Sequence, residues 1–148
     1  MATPLVEEIV DYIATQSIGT KATDLFFDHM PDVSTSPIAC VIDRGGPAPP
    51  AELPHRTAAI QVLVRADDYD DARQFAAKIH NILHGMFGVS FTNNKVLASR
   101  AFGLPASIGQ DKNGRHEVSA NYELDTYAIT DSGETSTGFG GDKDPNLN

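Results

Sequence analysis

Residues 57–85, TAAIQVLVRADDYDDARQFAAKIHNILHG, constrain the fold more than any other stretch of the chain. The first part alternates: Ala58, Ile60, Val62 and Val64 face one way, and Ala59, Gln61, Leu63 and Arg65 the other, the period of a strand over 57–65. Asp67, Asp68, Asp70 and Asp71 then crowd into a short turn. Beyond it Ala72, Phe75, Ala76, Ile79, Ile82 and Leu83 recur at helical spacing, and Gly85 is a natural stop. Asp68 is expected to cap the amide of Asp71. Asp70 and Asp71 are expected in the first turn, where a negative charge is worth about 0.3–1 kcal/mol at low salt. A strand running straight into an amphipathic helix points to an α+β subunit in which helices lie on a sheet.

The remaining segments fit that plan. Residues 4–18 predict an amphipathic helix, with Leu5, Ile9 and Ile13 on one stripe beside Val6 and Val10. Thr3 is the expected N-cap, Pro4 the first helical residue, Glu7 and Glu8 complement the positive end, and Gly19 ends it. Residues 24–27, with Leu25, Phe26 and Phe27, predict a short strand or a loop anchor. Residues 38–43 predict a buried strand. Residues 44–54 hold two glycines and four prolines, which exclude helix and sheet interior and predict a long projecting loop. Short strands are expected at 89–91 and 96–102, with Asn93 and Asn94 turning between them; residues 105–109 read as irregular or as a strand continuation. Asn113 followed by Gly114 signals a type I′ hairpin turn. Over 116–130 Val118, Ala120, Tyr122, Leu124 and Ala128 share one face. Glu117, Ser119, Asn121, Glu123 and Asp125 share the other, a long strand with an acidic solvated side. The sheet is therefore expected to be mainly antiparallel or mixed. From residue 131 Gly, Ser, Thr and Asp dominate, and this segment is expected to be a disordered acidic tail behind a single domain of residues 1–130.

Composition narrows the function. Eleven Lys and Arg against 20 Asp and Glu give a net charge of −9, and the basic residues are scattered singly. Tight nucleic-acid wrapping needs clustered cations. A single cysteine, Cys40, permits no intrachain disulfide and reads as a small buried hydrophobe. The N-terminus has no basic, apolar signal pattern, and no stretch approaches the roughly 20 apolar residues of a membrane span; folding in a reducing cytoplasm is expected. His80 and His84, one helical turn apart, lack a further ligand in the pattern of a zinc site. The aspartates at 67, 68, 70 and 71 lack the spacing of a calcium loop. Arg44, Gly45, Gly46 and Pro47 lack the lysine of a phosphate loop, and no GxSxG frames a serine. No cofactor or metal is expected, and no catalytic set emerges.

Four features together resemble the phage tail terminator family, the minor capsid proteins of tailed phages. They are the N-terminal helix ending near Gly19, the strand and loop Val41-Ile-Asp-Arg-Gly-Gly-Pro47, and the run Ile60-Gln-Val-Leu-Val-Arg65-Ala-Asp-Asp-Tyr69 with Ala72 leading into a helix. The fourth is the long alternating strand that ends near Thr130. The resemblance spans residues 1–130, and Arg65, Ala66, Tyr69 and Ala72 are its most specific part. It implies a small α+β subunit that assembles as a hexameric ring in the virion. The ring caps the tail tube at its head-proximal end, stops its growth, and joins the head–tail connector. Its partners would be further copies of itself, the major tail tube protein and the connector, with DNA passing through unbound and no membrane involved. Assembly would take place in the host cytoplasm. Expected interface residues are Arg44, Gly45, Gly46, Pro47, Arg65, Asp68 and Tyr69. For Arg65 an intrasubunit bond to Asp68 or Asp71 is an equal alternative. A head-completion protein, a non-viral adaptor with an acidic tail, and a small metal-dependent enzyme using His80, His84 and the Asp67–Asp71 cluster are the competing readings.

Overall fold

A computed structural model describes residues 4–45 and 55–129. The expectations for Thr3, for most of the 44–54 loop including Gly46 and Pro47, and for the tail fall outside these residues. In chain order the elements are α1 (Leu5–Thr15), β1 (Leu25–Phe27), β2 (Ile38–Asp43), β3 (His55–Ala66), α2 (Tyr69–Leu83), β4 (Phe87–Ser90), β5 (Asn94–Ala101), β6 (Ala106–Gln110) and β7 (His116–Ala128). The seven strands form one mixed sheet in the order β1-β2-β3-β7-β5-β4, with β6 also paired to β7. Only β1 and β2 run parallel; the other pairs are antiparallel.

The centre of the sheet is the β3–β7 pair, the two long alternating runs. Its register sets Ile60 opposite Tyr122, Val62 opposite Ala120 and Val64 opposite Val118. Opposed residues share a face, so these side chains form one apolar surface. Helix α2 packs on this surface and α1 on the neighbouring β1 and β2, so that Val6, Ile9, Val10 and Ile13 from α1, and Ala72, Phe75, Ala76, Ile79 and Leu83 from α2, join it in a single core. The second face of β3 and β7 carries Gln61, Leu63 and Arg65 against Asn121, Ser119 and Glu117, and no described helix packs on it.

Several local expectations are corrected. Helix α1 is shorter than 4–18: Pro4 takes the N-cap place, Gln16 the C-cap, and Ser17 at φ 63° turns the chain. Gly19 serves close packing instead, since a Cβ there would stand 2.7 Å from the Asp24 carboxylate. Asp68 does occupy the N-cap of α2, but its side chain makes no capping bond; it is exposed, where hydration competes for the carboxylate. Residues 106–110 take the second of the two expected forms, a strand, with a break in its register against β7 between Ser107 and Gly109. The turn after it is not type I′, which requires positive φ at both central residues; of the pair only Gly114 has it, at 80°. Instead the Asp111 carboxylate accepts the amides of Asn113 and Arg115 and holds a wider loop closed.

Candidate assembly surface

Three regions bear on function: the turn between β3 and α2, the helix-free sheet face, and the flank formed by β4, β5 and β6.

At the turn Arg65 is only 5% exposed. Its guanidinium donates to the carbonyls of Pro31 (2.7 Å) and Val33 (3.3 Å). The intrasubunit partners expected from sequence, Asp68 and Asp71, are replaced by backbone. Alternation explains this: α2 packs on the Val64 side of β3, and Arg65 projects from the opposite side. Arg115 reaches the same segment, donating to Val33 O (3.0 Å), Asp32 (2.7 Å) and Asp111 (2.8 Å). Two arginines thus fasten residues 31–33 over one end of the sheet. The Arg115 guanidinium beside Asp32 holds that carboxyl below its usual range. Partial desolvation pushes the Asp111 carboxyl up, but the amides of Arg115 and Asn113 and the Arg115 side chain outweigh it and lower it overall. Asp68 and Tyr69 remain outside; Tyr69 is 42% exposed and meets His116 edge-on at 5.9 Å.

Arg44 and Gly45 are also exposed, at the other end of β2. The Arg44 amide donates to Ala59 O, whereas Ile38 lies opposite Arg65. Arg65 lies six residue steps along β3 from Ala59, about 20 Å at the usual strand rise. Among the described residues, the exposed members of the expected interface therefore form two patches, not one.

The helix-free face bears a polar lattice. Gln61 donates to Ser119 (2.7 Å), Thr57 to Asp125 (3.0 Å), and Arg100 to Glu123 (2.6 Å) and Asp125 (3.0 Å). The Arg100 contact, then the Thr57 hydroxyl, lowers the Asp125 carboxyl. Glu117 lies on this side too.

The third region escaped the sequence reading. Strands β5 and β6 share the outer flank of β7, pairing with its residues 122–128 and 116–119 in turn. The chain between them bulges outward as an elbow at residues 102–105. Phe102 is 66% exposed, Leu104 80%, Ile108 56% and Phe87 82%. A concavity of about 180 Å³ lies between the elbow and Ser119, Ala120 and Asn121. The one signal available was that residues 101–110 hold no Asp, Glu, Lys or Arg.

The residues considered for chemistry are engaged structurally. His80 Nδ1 is 2.9 Å from the Tyr122 hydroxyl, and His84 Nδ1 accepts the Ala101 amide at 3.2 Å. Their rings stack at 5.2 Å, and burial, with His84 adding, lowers the His80 pKa. Cys40 is buried and its thiol is pushed up to about 12. Among the described residues no three His, Cys, Asp or Glu side chains group as metal ligands.

A family model described as bacteriophage tail terminator protein matches residues 12–128. A solved chain of the virion of a native gene transfer agent particle shares the fold, with a TM-score of 0.57 at 11% identity, over 83% of this chain and 94% of that one. No curated protein matches the sequence.

Proposed function

The chain belongs to the bacteriophage tail terminator family, and from that premise we propose that it caps the tail tube as a homo-hexameric ring and presents the surface that joins tail to head. The family match over 12–128 carries the reading. The family is one of structural tail proteins of the virion, and the ring would sit at the head-proximal end of the tube. The tube protein would lie on one side of the ring and the connector on the other.

The architecture suits the task. With both helices on one face, the sheet's other face is left for neighbours or for the channel. Glu117, Glu123 and Asp125 on that face, in a chain of net charge −9, repel phosphate, so DNA can pass without sticking. Arg44 and Gly45 at one end, with Asp68 and Tyr69 at the other, are the exposed members of the proposed interface. Arg65 would act by holding residues 31–33 in place.

Electron microscopy of the full-length protein mixed with tail tubes tests the reading. A ring at one tube end is the expected image. Uncapped tubes of unregulated length in the presence of folded protein would sink it.

A further inference from the structure

Of the six large hydrophobic residues exposed among the described residues, four lie on one flank of the sheet: Phe87, Phe102, Leu104 and Ile108. The flank is the β4, β5 and β6 side, where β6 pairs only with β7 among the described strands. Its elbow stands outward and carries no charge over residues 101–110. In a chain of net charge −9, copies repel one another over most of their surface, and an uncharged apolar projection is where they can meet. The cores of protein interfaces are depleted of charge in the same way.

The opposite flank offers the complement. At the β1 edge Lys21, Ala22, Phe26, Phe27 and His29 surround a concavity of about 120 Å³, comparable with one aliphatic side chain. Lys21 Nζ lies 5.9 Å from the Phe27 ring centroid and is bound to Glu7 (2.5 Å) and Asp11 (3.1 Å). Its charge is thus answered within the subunit, and the seat presents its aromatic walls. Strand β1 ends the sheet on one side, and the elbow lies on the other.

We propose that the elbow, led by Leu104, docks into the β1-edge concavity of a second copy of this chain. A projection on one flank and a seat on the opposite flank make a head-to-tail contact. Such a contact leaves one copy with a free seat and the other with a free projection, so the chain can grow, and it closes into a ring when the rotation permits. A self-complementary contact would stop at two subunits. The inference rests on the ring reading and assigns its subunit contact.

The test uses the full-length chain at high concentration, with association followed by sedimentation and folding by thermal melting. Leu104→Glu disables the projection. Phe26→Glu disables the seat, and His29→Glu is a second seat variant that keeps the half-buried Phe26 ring. Each alone is expected to associate at least about tenfold more weakly than the parent, the loss for roughly 1.4 kcal/mol of contact energy. Leu104→Glu mixed with either seat variant is expected to form dimers that grow no further, because one good projection meets one good seat. A single variant that associates like the parent, a mixture that stays monomeric, or a parent that never associates would each overturn the contact. Capping of tail tubes by Leu104→Glu with parental efficiency would overturn it as well, and would leave the terminator reading standing.

Discussion

Val33 offers its carbonyl to Arg65 and Arg115 together, so two long cationic side chains are committed to one stretch of loop. Bonds from a charged donor are worth about 1.5–3 kcal/mol each, and Arg65 is almost wholly buried. Arg65→Ala is expected to cost about that much and to lower the melting temperature by several degrees. An unchanged melt with failed ring formation would return Arg65 to the interface. The acid limb belongs to this scale too. Asp32, Asp111 and Asp125 all titrate below the ordinary aspartate range in the folded state. Their unfolded forms therefore bind more protons at low pH. The stability they add is complete above about pH 4 and is lost as pH falls through the folded values. Arg115→Ala removes this contribution for Asp32 and only the side-chain part of it for Asp111, whose carboxylate keeps the amides of residues 113 and 115, and leaves Asp125 untouched. The gap in melting temperature between parent and variant is expected to be widest above about pH 4 and to narrow below it. A gap independent of pH would show that Arg115 acts only through the Val33 carbonyl.

Among the elements, α1 and α2 differ in how their ends are tied. The N-cap residue of α2, Asp68, makes no side-chain bond. Asp68→Ala is therefore expected to change stability by less than about 0.5 kcal/mol, where a working cap would cost about 1. Denaturant unfolding separates the two. Helix α1 is tied by Glu8, which is 5% exposed and whose carboxylate accepts the Asn93 amide and Asn94 Nδ2, both at 2.7 Å. This joins the first helix to the β4–β5 turn, far along the chain. Glu8→Ala strands two donors and is expected to cost about 2 kcal/mol or more. It should also speed amide exchange at residues 91–95; unchanged exchange there would show that the turn holds without Glu8. Helix periodicity exposed the stripe of α2 almost residue for residue. The role of Glu8 could not be seen, because a glutamate in a first helical turn looks like a dipole partner until the fold brings Asn93 to it.

For the whole molecule, both described helices lie on one face of the sheet and none covers the other. We propose that residues 1–130 form the folded unit and that 131–148 add nothing to its stability. A chain ending at Thr130 is expected to melt with the parent, and a clear drop in melting temperature would assign the segment a place in the fold. The face periodicity of β3 and β7 was legible because alternation depends on the chain alone. The separation of Arg44 and Gly45 from Asp68 and Tyr69 was not, since it depends on the length of β3 and its register with β2. The elbow was equally hidden. It exists because β5 and β6 pair in succession with the same flank of β7, a choice made by strands distant in sequence.

The amino-acid order alone settled the two amphipathic helices, the central strand pair, the family, and the acidic balance that disfavours phosphate. Each is a local pattern, fixed by side-chain spacing or by summed charge. Tertiary structure decided where Arg65 spends its hydrogen bonds, which glutamate is buried, and which apolar residues remain in water. Those outcomes depend on which segments meet. Backbone carbonyls such as Pro31 and Val33, present at every position, give no sequence signal until the fold brings a guanidinium to them.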